Sequence, residues 1–210
     1  MRHVRRQNLP MPHPPAHQSA RIVSVNRSLA VWRQISGKSV LTGIGKRAVT
    51  GPVAVSAMGL DGDEQADLSV HGGLSKAVYA YPQAHYAFWQ TVRAQAGVAA
   101  PDAAVPFGLL GENLSIAGLT ETDLWIGDRL VLPGCVLAVS EPRFPCFKFN
   151  AAMGFAQASK LMSQSGYCGS YLAVIEPGTV SAGDAVLLQA GPRELGVREL
   201  FWAKLKRQAS

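Results

Sequence analysis

The residues best equipped for chemistry lie between Ser140 and Asn150, SEPRFPCFKFN, where Cys146 follows Pro145 and has Arg143 and Lys148 within three residues. Proline fixes the backbone ahead of the cysteine and offers no N–H. Cations close to a thiol favour the thiolate, which is both a nucleophile and a soft metal ligand. On these residues alone Cys146 suits a nucleophile, a redox sensor or a ligand, and an inert buried thiol is the plain alternative. Cys135, within LPGCVLAV, reads as a strand residue, and Cys168 as part of a Gly/Ser-rich turn; neither has a charged sequence neighbour.

Two further segments carry dense polar chemistry. In GLDGDEQADLSVHGGLSKAVYAYP, residues 59–82, the ionisable side chains Asp61, Asp63, Glu64, Asp67, His71 and Lys76 crowd around Gly62, Gly72 and Gly73. The spacing is neither that of a calcium loop nor that of a paired-histidine zinc helix. It reads as a site or as a solvated loop with capping carboxylates. His71 before two glycines fits an imidazole presented where backbone must come close. In FGLLGENLSIAGL, residues 107–119, Glu112 and Asn113 leave a glycine turn and enter a strand. An asparagine there can offer donor and acceptor to a planar heterocycle, or cap the turn.

The elements that must hold these residues are mostly short and extended. Alternating or apolar runs at 21–26, 51–58, 76–81, 112–116, 128–132, 136–140, 171–176 and 185–189 are separated by turn pairs such as Pro133-Gly134 and Pro177-Gly178. Helical periodicity predicts a helix over 82–96, a weaker one over 151–164 and a third over 197–206. The fold class is therefore mainly β with helical decorations, a barrel or sandwich. With 210 residues, 48% hydrophobic and 16% charged, the chain is long enough for one well-cored domain. The formal net charge of +6 sits largely near the ends, on residues such as Arg2, Arg5, Arg6, Lys204, Lys206 and Arg207. No basic stripe interleaved with aromatics argues for nucleic acid. Three cysteines without framework spacing, and no apolar run long enough to span a bilayer, point to a reducing, cytoplasmic setting without membrane association. Residues 1–20, rich in Pro and Arg, read as a flexible leader.

The combination of GLDGDEQADLSVHGGLSKAVYAYPQAHY, FGLLGENLSIAGLTETDLWIGDRLVL, VSEPRFPCFKFN and PGTVSAGDAVLL, in unbroken order over about residues 21–190, resembles the bacterial MOSC-domain family of the YiiM-like type. The resemblance implies a MOSC-type β-barrel homologous to the C-terminal domain of molybdenum cofactor sulfurases. It also implies a reactive cysteine, at Cys146, that binds the molybdenum centre or its sulfur. The activity implied is reduction of N-hydroxylated compounds such as 6-hydroxylaminopurine, with electrons from a separate reductase. Under that reading Arg143, Lys148 and Lys76 are candidates to pair with the phosphate of a pterin molybdenum cofactor, and Asn113 to bond the pterin. His71, Asp63 and Glu112 are candidate proton donors. Pyridoxal phosphate is not expected. Residues 191–210 are expected to form one helix, a remnant of the three-helix extension of longer members, and a homodimer is an open possibility. A non-catalytic carrier of cofactor or sulfur, using a Cys146 persulfide, is the alternative. A Cys146–His71 hydrolase lacks an identifiable orienting residue.

Overall fold

The computed structural model describes residues 20–66 and 72–209. The alternation along RIVSVN becomes strand β1 (Ala20–Arg27), with Ile22 and Val25 buried and Arg21 exposed. A hairpin follows, β2 (Val31–Ile35) and β3 (Lys38–Thr42), paired from Val31–Thr42 to Ile35–Lys38. Its two-residue turn puts Ser36 and Gly37 at φ 51° and 77°, the doubly positive pattern that matches strand twist in tight hairpins. Three short strands come next: β4 (Arg47–Val49), β5 (Val53–Ser56) and β6 (Gly59–Leu60). The remaining strands are β7 (Val78–Pro82), β8 (Leu114–Ala117), β9 (Arg129–Val131), β10 (Val136–Pro142), β11 (Ser170–Glu176), β12 (Gly178–Val180) and β13 (Ala185–Gln189).

Seven strands, in the order β13-β9-β10-β11-β7-β8-β1, close into a barrel where β1 pairs β13 at Ala20–Val186. β4 extends it from β1, and β12, β5 and β6 form a small second sheet. The β7–β8 pair is parallel, whereas the other pairings in the barrel are antiparallel. Four α-helices lie outside: α1 (Tyr86–Gln95), α2 (Phe147–Met153), α3 (Ala158–Ser165) and α4 (Val197–Ala209). The single helix expected over 151–164 is thus two. α2 begins earlier, at Phe147, and stops at Gly154, whose φ of 86° is the left-handed cap that glycine supplies cheaply. Asn150 Oδ1 then accepts the Ser159 N–H at 2.7 Å and ties the start of α3 to the end of α2.

Every residue of β7 is buried, because the strand separates two cores. Val78 and Ala80 face the aliphatic barrel interior with Leu114, Leu137 and Leu172. Tyr79 and Tyr81 face an aromatic core with Trp89, Phe149, Met153 and Phe201. Burying each of these large side chains contributes roughly 1.5–3 kcal/mol. The aromatic core also fixes the segment 143–149, and with it the cysteine. The expected leader before residue 20, together with Asp67 and His71, lies outside the described residues. Among the described residues no helix is long and apolar enough to cross a membrane.

Candidate functional site

Cys146 is the N-cap of α2, in extended conformation at φ −132° and ψ 174°. Its carbonyl accepts the Phe149 N–H and the Ser159 hydroxyl, both at 2.9 Å, which pins the residue where β10 hands the chain to the helix. The side chain is half-buried and lines a cavity of about 90 Å³. That space admits several water-sized groups, so it suits the reacting end of a ligand. Asp63, Lys76, Asn113, Arg143 and Lys148, five of the residues singled out from sequence, line the same cavity. They come from three separated segments, and the fold brings them together.

Arg143 is 5% exposed, its guanidinium 5.0 Å from the ring centres of both Tyr79 and Phe149. This aromatic sandwich holds a permanent positive charge at the cavity wall. Tyr171, which also lines the cavity, has its phenol pKa pushed up by burial, with Arg143 pulling the other way, so it stays a neutral hydroxyl. Lys148 donates from Nζ to the Leu41 carbonyl at 3.1 Å and ties the site to β3. Lys76 lies 3.7 Å from Glu141 and over the Tyr171 ring.

Asn113 does structural work. Its backbone N–H and side-chain Oδ1 pair with both backbone groups of Tyr79, at 2.7 and 3.0 Å, extending the parallel β7–β8 contact. Its Nδ2 donates to the Asn26 carbonyl at 3.3 Å and to Asp63 Oδ2 at 2.9 Å. Both amide hydrogens are therefore engaged within the protein, and the residue positions Asp63. Glu112, its neighbour, is fully buried and absent from the cavity lining. Its Oε1 accepts from the Tyr86 hydroxyl, the Gly108 N–H and the Ser115 hydroxyl. His71 lies outside the described residues.

Sequence reasoning missed Lys46. It lines the cavity, its side chain 8% exposed and its ammonium bonded to Asp63. Burial lowers its pKa from the ordinary lysine value, and Asp63 opposes that shift. A lone lysine in TGIGKRAV has no spacing signature; the fold alone carries it to a carboxylate 17 residues on. Asp63 also accepts the Ser28 N–H at 2.9 Å, so the carboxylate is anchored from three sides. The other cysteines are chemically quiet: burial pushes the Cys135 thiol up to about 11 and Cys168 well above its usual value.

The MOSC domain family model matches residues 67–187, a span containing most of the barrel, the cavity cations Lys76, Arg143 and Lys148, and Cys146. The chain belongs to the MOSC domain family. YflK of Bacillus subtilis is 38% identical over 84% of this chain and 77% of its own length. The Escherichia coli protein YiiM is 36% identical over 74% of this chain and 67% of its own. A protein of Gibberella moniliformis named Reductase is 36% identical over 74% of this chain, which spans only 27% of it. Among solved structures, YiiM from Geobacillus stearothermophilus superposes with a TM-score of 0.71 at 28% identity, covering 91% of this chain and 86% of that one. The MOSC barrel is thus the shared scaffold.

Proposed function

We propose that this MOSC protein is the molybdenum-cofactor-binding, terminal component of a reductase for N-hydroxylated compounds such as 6-hydroxylaminopurine, with Cys146 as the protein ligand to the metal. The observation that carries the reading is the company Cys146 keeps: a lone thiol in a cavity lined by four cations, Lys46, Lys76, Arg143 and Lys148, against two carboxylates, Asp63 and Glu64. This donor set fits the group. A thiolate suits a soft metal centre, and the cations suit an anionic pterin phosphate. Among the described residues no cluster of three His, Cys, Asp or Glu side chains is placed to hold a bare metal ion. Cys146 would be the thiolate donor from this chain, with further ligands arriving with the cofactor. The fungal relative named Reductase supports an oxidoreductase role.

When bound, the cofactor supplies the two-electron chemistry that no side chain here provides, with electrons from a separate reductase. Converting a hydroxylamine to an amine and water consumes two electrons and two protons, so the cavity needs a proton donor. The proton at the wall sits on Lys46 Nζ, held less tightly than on an ordinary lysine because the group is buried. Asp63 keeps that ammonium in place, and Asn113 and Ser28 keep Asp63 in place. Arg143 and Lys148 would hold anionic groups beside Cys146, and the Tyr171 phenol would offer a neutral donor.

Elemental analysis of wild type and Cys146→Ser from a host that makes the cofactor tests the ligand, paired with 6-hydroxylaminopurine reduction by a supplied electron donor. The expected result is molybdenum in the wild type, and loss of both metal and turnover in the variant. Wild type without molybdenum, or a variant that retains it fully, overturns the reading. Molybdenum without turnover would favour a carrier role.

A further inference from the structure

Beside the Cys146 cavity lies a larger groove of about 410 Å³ that the proposed reaction does not use. Its walls are β2 (Arg33, Gln34, Ile35), the segment Ile44–Arg47, the turn residues Pro106 and Leu109, and the last turn of α2. Ile44 and Lys46 line both spaces, so the segment after β3 is a partition between them. α2 borders both as well, with Cys146 at its start and Ala151 and Ala152 near its end.

Two properties of the groove specify an occupant. The first is charge: among the described residues Arg33, Lys46 and Arg47 line it and no Asp or Glu does. Lys46 is engaged by Asp63, but among the described residues neither the Arg33 nor the Arg47 guanidinium makes a hydrogen bond or ion pair. Two guanidiniums without a carboxylate partner, one on β2 and one on the segment after β3, line the same groove and favour an anion, and their planar donor forks match phosphate. The second is size and texture. Ile35 is buried and Ile44 and Leu109 are half-buried, giving an apolar floor beside the cations. The volume falls within the range of about 300–1,000 Å³ of sites that enclose small organic ligands. A bare phosphate ion would leave most of it unfilled.

We propose that this groove is a second ligand site, separate from the Cys146 cavity, that takes a phosphorylated small organic molecule of about nucleotide size. Its phosphate contacts Arg33 and Arg47, and its less polar part lies against Ile35, Ile44 and Leu109. The inference stands whether or not the reductase reading does, because binding is measured without turnover.

Calorimetric titration with adenosine 5′-monophosphate, adenosine and inorganic phosphate tests it. The nucleotide is expected to bind saturably, with affinity falling as salt is raised. Adenosine and inorganic phosphate should each bind at least about tenfold more weakly, since each lacks one half of the contacts. Arg33→Gln and Arg47→Gln, both at exposed positions, should each weaken nucleotide binding about tenfold while the thermal midpoint stays unchanged. Lys76→Ala, in the neighbouring cavity, should leave it alone. No nucleotide binding, affinity indifferent to both arginines, or inorganic phosphate binding as tightly as the nucleotide overturns the proposal. Repeating the titration on protein from hosts able and unable to make the molybdenum cofactor separates the sources of phosphate. Equal affinity supports a separate site, whereas competition would show that the groove holds the phosphate end of the cofactor and would overturn its separateness.

Discussion

Glu112 is a fully buried carboxyl whose hydrogen bonds come only from neutral groups: the Tyr86 hydroxyl, the Gly108 N–H at 2.5 Å and the Ser115 hydroxyl at 3.2 Å. Its Oε2 has no partner among the described residues. Burial pushes its pKa above the usual 4.5, against the opposing pull of those hydrogen bonds. The folded chain therefore holds this proton more tightly than the unfolded chain does. The associated stability is fully present below the unfolded value and is lost as pH rises from there through the raised folded value. The thermal midpoint, read by calorimetry, should accordingly fall as pH rises above the ordinary carboxyl value and through the raised one. Glu112→Gln keeps the accepting oxygen and cannot ionise, so it should flatten this part of the profile. Glu112→Ala strands the Tyr86 and Gly108 donors and should cost about 1–3 kcal/mol at low pH, where the wild-type carboxyl is protonated, and less as pH rises. A Gln variant with the wild-type slope would assign the titration to another group. At this scale residue type and local density pointed together to Cys146, Arg143 and Lys148, which the fold brings to one cavity. The sequence was silent on Lys46, and it suggested a ligand role for Asn113, whose amide is occupied in holding β7 and Asp63.

Among the elements, the β2–β3 hairpin left the weakest trace in the sequence and yet borders both cavities. VWRQI and KSVLT lack a clean apolar alternation because most of their residues are exposed on both faces; only Ile35 and Thr42 are buried. The Ser36-Gly37 turn was its one usable signal. A hairpin with so little buried surface is marginal by itself and needs ties to the body of the protein. Lys148 provides one, from α2 to the Leu41 carbonyl. Lys148→Met keeps the aliphatic stem and removes the donor. Amide exchange over residues 31–42 should then accelerate about tenfold, as expected for loss of a charge-assisted hydrogen bond, with β10 and β11 unchanged. Unchanged exchange in the hairpin would mean that Trp32, Arg33 and their neighbours are held by other contacts. By contrast, β1, β10 and β13 were legible because one face of each packs into the barrel and the other is more exposed, which prints a period of two into the burial pattern. The split between α2 and α3 was not: Phe147 and Phe149 have strand-like propensity, and tertiary burial of Phe149 overrides it.

Across the whole molecule, the two cores meet at β7, and the site hangs from the second of them. Val78 and Ala80 belong to the barrel interior, Tyr79 and Tyr81 to the aromatic core, so one strand couples the two. The C-terminal helix α4 joins that core through Phe201, fully buried and stacked on Phe144 with ring centres 5.1 Å apart. Phe144 directly follows Arg143, and Lys204 of α4 lies 3.6 Å from Glu141, the carboxylate that also meets Lys76. α4 therefore braces the chain on which Arg143 stands; periodicity predicted the helix, but not the partner its apolar side chains would meet. Phe201→Ala should cost about 3–5 kcal/mol through lost burial and an unfilled cavity. For a chain of this length that lowers the thermal midpoint by roughly 6–20 °C. Because β7 is common to both cores, near-ultraviolet circular dichroism, which follows the aromatic core, and far-ultraviolet circular dichroism, which follows the barrel, should keep coincident midpoints in the variant. Separated midpoints would instead mean that α4 and the aromatic core melt as their own unit, leaving the barrel folded but Arg143 and Cys146 without their support.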